Sequence, residues 1–343
     1  MTGPKDSFGG ESTRATSIQL DKQNDKIHYK TNMKFEWRGV FPAVTTKFTA
    51  NDELDFDAFD HNINAQLEAG VNGLILGGSL GEASVLSEEE KFALLTHTVE
   101  FVDGKVPVLL NIAEQTTKAA VACAQKALEY GASGLMLLPP MRYKADDNET
   151  LEFLIAVAKS TPLPIMIYNN PVDYKIEVTL DMFTELAKYD NIQAVKESTR
   201  DISNVTRMIN RFGDRFKIMT GVDPLAMESL VMGADGWVAG LVDAFPRETV
   251  AIYRLVKANR ISEALAIYRW FLPVLELDIH PKLVQYIKLA EVATGIGTEN
   301  VRAPRLKVEG TERERVLKTI NDALSNRPEL PEGSWGKIEA QLA

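Results

Sequence analysis

The residue of this chain with the most distinctive chemical setting is a lysine in an apolar run, Ile192-Gln193-Ala194-Val195-Lys196-Glu197-Ser198. Strand alternation places Ile192, Ala194 and Lys196 on one face, and a strand covered on both faces would leave that amine partly desolvated. Burial lowers an amine's pKa, which frees the base to attack a carbonyl and form a Schiff base. The competing reading is that the long side chain snorkels from the sheet edge into water.

Two further segments carry suitable chemistry. Tyr168 opens Tyr168-Asn169-Asn170-Pro171 after the apolar run 164–167. Its hydroxyl could shuttle protons for the lysine, or it could be a core tyrosine bonded to a loop. The loop Gly77-Gly78-Ser79-Leu80-Gly81-Glu82 could cradle a carboxylate with backbone N–H groups and a serine hydroxyl, or be a tight turn. Its glycine spacing matches neither the dinucleotide nor the P-loop fingerprint.

The elements that must position these groups alternate regularly. β-rich apolar runs occur at 39–46, 71–77, 106–112, 134–139, 164–169, 192–197, 216–221 and 235–240. Between and after them lie amphipathic stretches at 55–69, 87–102, 116–130, 148–160, 179–188, 201–212, 224–232 and 246–258. Ser87 before Glu88-Glu89-Glu90 marks a helix start, and Gly70, Gly131 and Gly213 mark helix ends. Eight βα units predict an α/β fold, a (β/α)8 TIM barrel, in preference to a doubly wound open sheet. Helical segments at 261–277, 281–294 and 311–325 follow. The expected organisation is a poorly ordered tail over 1–34, a catalytic barrel over 35–258 and a C-terminal helical region over 259–343. In a barrel the active site lies at the C-terminal strand ends, where all three segments fall.

Composition narrows the partners. The chain has 343 residues, 45% hydrophobic and 25% charged, with 38 basic against 48 acidic side chains and a net charge of −10. That sign argues against nucleic acid. No apolar run approaches the roughly 18 residues of a membrane span. The polar segment 1–34 lacks the apolar stretch of a secretory signal. The single cysteine, Cys123, cannot form an internal disulfide, and a cytoplasmic setting is expected. The four histidines, His28, His61, His97 and His280, share no ligand spacing, so neither metal nor cofactor is expected.

Together the three segments resemble the dihydrodipicolinate synthase/N-acetylneuraminate lyase family of Schiff-base lyases, over about 38–306. The family's carboxylate loop is matched by Gly78-Ser79-Leu80-Gly81-Glu82, its Tyr-Asn-x-Pro motif by Tyr168-Asn169-Asn170-Pro171, and its lysine motif by Lys196-Glu197-Ser198. The resemblance implies that Lys196 forms an imine with the C2 carbonyl of a 2-oxo acid, that Tyr168 relays protons, and that Ser79 and the Leu80 N–H hold the substrate carboxylate. It also implies a homo-oligomer, tetramer or dimer.

Departures from the family pattern shift the expected substrate. Asp173 stands where the synthase branch has a carboxylate-binding arginine, which disfavours a second carboxylate. Leu80 replaces the second hydroxyl of the loop, and Arg142 replaces a relay tyrosine, with Tyr143 next to it. A distal pocket pairing Arg142 with Asp173 is expected. This is similar to branches that dehydrate, deaminate or cleave hydroxylated 2-oxo acids, among them the Δ1-pyrroline-4-hydroxy-2-carboxylate deaminases, which the segments 279–286 and 301–305 also resemble. The expected substrate is a small 2-oxo acid or cyclic imine. The alternatives are a true 4-hydroxy-tetrahydrodipicolinate synthase, condensing pyruvate with aspartate semialdehyde, and a non-catalytic barrel that binds a 2-oxo acid.

Overall fold

Eight short strands form a closed sheet because nearly every residue in them is buried on both faces, the pattern of a parallel barrel. The computed structural model describes residues 35–331. The tail expected over 1–34 and the last part of the C-terminal region, 332–343, lie outside the described residues. The strands are β1 (Gly39–Pro42), β2 (Leu74–Leu76), β3 (Val108–Ile112), β4 (Gly134–Leu137), β5 (Ile165–Asn169), β6 (Ile192–Glu197), β7 (Lys217–Thr220) and β8 (Gly236–Ala239). They pair in parallel in the order β1-β8-β7-β6-β5-β4-β3-β2. The ring closes through a parallel bridge between Ala43 and Ile75, where the Val44 N–H donates to the Ile75 carbonyl at 3.0 Å. That closure excludes the doubly wound sheet.

The helices of the βα units are α1 (Phe56–Ala69), α2 (Glu88–Val102), α3 (Thr117–Glu129), α4 (Asp147–Ser160), α5 (Pro171–Tyr174), α6 (Leu180–Leu186), α7 (Ser203–Phe212), α8 (Ala226–Val231) and α9 (Pro246–Lys257). Ser87 and Glu90 form the capping box of α2, and Asp146 with Glu149 forms another on α4. Each such cap stabilises its helix by ~1 kcal/mol. Gly70, Gly131 and Gly213 all take positive φ after their helices, as the sequence predicts. Two departures concern the strand ends. The short helix α5, absent from the sequence reading, begins right after β5. The helix expected over 224–232 divides into a 3-10 turn, Asp223–Leu225, and α8.

The remaining helices are α10 (Ile261–Leu275), α11 (Leu283–Thr294) and α12 (Gly310–Ser325), with a 3-10 turn, Glu276–Ile279, after α10. Charge ties α11 to the loops at the C-terminal ends of β1 and β2. Glu291 receives the Lys47 ammonium at 2.9 Å and the Thr45 hydroxyl at 2.5 Å, and Lys288 Nζ meets Glu82 at 2.5 Å. The charged side chains are fully buried, so their mutual pairing is what makes burial tolerable. Asp243, which accepts from Thr45 N and Gln66 Nε2, is pushed well above the ordinary carboxyl range by burial and by Glu291.

Candidate active site

The C-terminal strand ends surround a cavity of about 480 Å³. Lys196, near the end of β6, is 7% exposed within it. A register shift sets its partner. Ile165 of β5 pairs with Ile192, but the next residue, Met166, pairs with Ala194, so Gln193 is bulged out. The strict alternation expected through Ile192, Ala194 and Lys196 is therefore interrupted, and Tyr168 comes level with Lys196. The lysine Nζ lies 4.1 Å from the Tyr168 ring centroid. Lys47 and Lys288, also buried, each hold a carboxylate, whereas Lys196 has no ion-pair partner among the described residues. Burial consequently lowers its pKa, against the weaker opposing pull of Tyr174, Asp278, Asp223 and Asp173. Gly221, after β7, makes room for it, since a Cβ there would fall 2.5 Å from Lys196 Cε.

The Tyr168 motif folds as a unit. Asn169 staples the strand end to the following segment, donating to the Val178 carbonyl at 3.1 Å and accepting from the Val178 N–H at 2.9 Å. Asn170 caps α5, accepting from the Asp173 N–H, and donates to the Tyr168 hydroxyl at 3.2 Å. Pro171 takes the first helical position, where a missing N–H costs nothing. Burial pushes the Tyr168 phenol up to about 12, so at neutral pH it holds its proton.

Across the cavity lies the loop after β2. Gly81 approaches the Val44 carbonyl so closely that a Cβ would sit 2.9 Å from it. Glu82, at φ 57°, is anchored by Lys288 and by the Arg302 N–H at 3.2 Å. This anchoring presents Ser79 and Leu80 to the cavity. The Ser79 hydroxyl is hydrogen-bonded to the Tyr174 hydroxyl, and the Tyr174 ring packs edge-on against Tyr168 with centroids 5.5 Å apart.

The structure thus brings Lys196, Tyr168, Ser79, Leu80 and Asp173 into one cavity. Arg142 and Tyr143 do not line it, because the turn after β4 carries both outward to exposed positions. The expected pairing of Arg142 with Asp173 is not formed. Asp173 instead faces Arg200 at 3.7 Å and accepts from Asn170 Nδ2 at 2.8 Å. His280, expected in a dispersed structural role, lines the cavity and stacks on Tyr286 at 4.5 Å. His61 and His97 bond elsewhere, to the Gly295 carbonyl and to Asp60, and His28 lies outside the described residues. No group of three or more metal-ligating side chains occurs among the described residues, and no described helix is long and apolar enough to cross a membrane.

Sequence reasoning missed Tyr174, Arg200, Asp223 and Asp278, all near Lys196. Tyr174 and Arg200 follow the recognised motifs within a few residues and could have been found by extending them. Asp278 comes from the turn Glu276–Ile279, beyond the eighth unit, and carries no local signal. An amine without a counterion, a phenol beside it and an opposed loop of donors can together form and protonate an imine.

A 4-hydroxy-tetrahydrodipicolinate synthase of Exiguobacterium sibiricum is 32% identical over 273 residues, 79% of this chain and 91% of the relative. One of Sorangium cellulosum is 31% identical over 288 residues, 82% of this chain and 94% of the relative. Among solved structures, a dihydrodipicolinate synthase of Bacillus anthracis superposes with a TM-score of 0.81 at 27% identity, covering 86% of this chain and all of that one. A prophage protein of the dihydrodipicolinic acid synthase family from E. coli K12, solved in complex with pyruvate, has a TM-score of 0.79 at 25% identity, covering 84% and 99%. The family model described as the dihydrodipicolinate synthetase family matches residues 36–323, the whole barrel with α10, α11 and most of α12, and the chain belongs to that family.

Proposed function

We propose that this protein is a Schiff-base-forming lyase that acts on a small 2-oxo acid or cyclic imine, in dehydration, deamination or aldol cleavage. The observation that carries the reading is the buried, unpaired Lys196 amine over the Tyr168 ring, opposite the Ser79–Leu80 loop. The E. coli relative solved with pyruvate supports a 2-oxo acid as the bound group.

In this reading Ser79 and the Leu80 N–H bind the substrate carboxylate, and the neutral Lys196 amine adds to C2. Tyr168 gives its proton to the departing carbinolamine hydroxyl, which leaves as water, and then takes a proton from C3 to produce the enamine. Tyr174, bonded to Ser79 and packed on Tyr168, extends this hydroxyl system. Asp173 and Arg200 meet the distal end of the substrate, while Arg142 and Tyr143 stay outside the cavity. A homo-oligomer, tetramer or dimer, in the cytoplasm belongs to the same proposal.

Borohydride reduction in the presence of pyruvate tests the mechanism. A mass increase located on Lys196 and lost in Lys196→Ala is expected, and its absence would overturn the reading in favour of a non-catalytic 2-oxo-acid-binding barrel. A second reading, condensation of pyruvate with aspartate semialdehyde, is supported by the names of the relatives at 31–32% identity. Asp173 weighs against it. Ammonia release from Δ1-pyrroline-4-hydroxy-2-carboxylate supports the first reading, and turnover of pyruvate with aspartate semialdehyde alone supports the second.

A further inference from the structure

The proposed steps leave Asp278 unused, although it lines the same cavity as Lys196. Its Oδ2 accepts from the Asp223 N–H at 3.4 Å, and its Oδ1 lies against Gly240, where a Cβ would come within 2.6 Å. The neighbouring Asp223 is bonded very differently. Its carboxylate accepts from Trp237 Nε1 at 2.9 Å, from the Gly240 N–H at 3.2 Å and from the Leu241 N–H at 2.7 Å. Burial raises the Asp223 carboxyl, but these donors oppose that rise, so Asp223 is the member of the pair better suited to hold the negative charge. Asp278, with one long hydrogen bond, is the member that holds a proton, since two facing carboxyls do not both ionise readily. Burial and Asp223 push the Asp278 carboxyl up to about 8, with Lys196 pulling the other way. The charged groups around it are Lys196 from β6, Asp223 after β7 and Asp173 from α5, with Arg200 and His280 in the same cavity wall.

We propose that Asp278 is the general acid of the site, delivering a proton to a hydroxyl that leaves from C4 of the substrate held on Lys196, so that the reaction favoured here is elimination of water. The proposal rests on the imine-forming role of Lys196. Once C3 has lost its proton, the enamine nitrogen pair re-forms the C2–N double bond and the C2–C3 pair moves to C3–C4. The C4–O bond breaks, and the departing oxygen takes the Asp278 proton to become water. Hydrolysis of the unsaturated iminium frees Lys196 as the neutral amine and releases one proton, which passes through cavity water to Asp278, while Tyr168 keeps the proton it took from C3. Aldol cleavage would instead need a base for the C4 hydroxyl proton, a task for which a protonated carboxyl is the wrong form.

The test compares two probes that differ only in the leaving group, 4-hydroxy-2-oxobutanoate and 4-fluoro-2-oxobutanoate, because fluoride departs without needing a proton. Asp278→Asn should lose on the order of 10²-fold in rate on the hydroxyl probe and change little on the fluoro probe, with partial rescue by Asp278→Glu. In the unaltered protein, the ratio of hydroxyl to fluoride elimination should fall as pH rises through about 8. An equal loss on both probes, a pH-independent ratio, or cleavage without dehydration of the hydroxyl probe overturns the assignment. Failure of the Lys196 reading shows itself separately, as no trapped pyruvate adduct in the unaltered protein.

Discussion

The Ser79 hydroxyl is hydrogen-bonded to the Tyr174 hydroxyl, although 95 positions separate them in the chain. Leu80 and Arg142 break the hydroxyl series expected from the family, and Tyr174 supplies a phenol from α5 of the same chain. Tyr174→Phe removes that hydroxyl and leaves the ring against Tyr168. Its kcat is expected to fall on the order of 10²-fold with KM little changed. Stopped-flow measurement of imine formation with pyruvate checks this, and an unchanged rate would remove Tyr174 from the chemistry.

Asp223 bears on both ends of the pH profile. Its negative charge favours the ammonium form of Lys196 and disfavours ionisation of Asp278, so it raises both pKa values. Asp223→Asn should lower both. Imine formation, which needs the neutral amine, should then begin at lower pH, and the loss of hydroxyl elimination should also shift to lower pH. Opposite movement of the two limbs in pH–rate profiles would contradict this electrostatic account.

Gly221 is the position where one added carbon meets the nucleophile. Gly221→Ala places a Cβ 2.3 Å from Ser198 Oγ and 2.5 Å from Lys196 Cε, and these side chains will yield before the sheet does. Circular dichroism is expected to be native-like, while the borohydride adduct falls by at least about tenfold, a loss set by misplacement of the reacting atom.

The buried pair of Lys288 and Glu82 couples α11 to the substrate loop. Lys288→Met leaves the buried Glu82 carboxylate with only Arg305, 3.6 Å away, as a cation, so the loss is expected to fall below the roughly 3–5 kcal/mol typical of a buried pair broken outright. Urea unfolding should show that loss, and the double variant Lys288→Met/Glu82→Gln should recover most of it. Because Glu82 closes the loop that carries Ser79, KM for the 2-oxo acid should rise in the single variant and return toward normal in the double.

The barrel was legible because its strands are uniformly apolar and its helices carry local caps such as Ser87 with Glu90. Lys196, Tyr168 and Ser79 were legible because each lies at the end of a readable strand. What escaped depended on long-range packing. Whether Asp173 faces Arg142 or Arg200 is decided by the direction of the turn after β4, which no local residue type encodes. Asp278 reaches the cavity only because α10 and its terminal turn fold back over the strand ends. The ion pairs of Lys47 and Lys288 were invisible for the same reason, since an isolated lysine in sequence reads as surface.

The bulge at Gln193 makes this site sensitive to counting as well as to composition. Without it, continuing the pairing from Ile165 and Ile192 would set Tyr168 level with Val195. Pairing the same residues without the bulge would preserve a hydrogen-bonded barrel and every catalytic side chain while separating the phenol from the amine by one rung. Homologous chains that share Lys196 and Tyr168 are therefore functionally comparable only when the spacing between β5 and β6 partners is preserved along with the residues themselves.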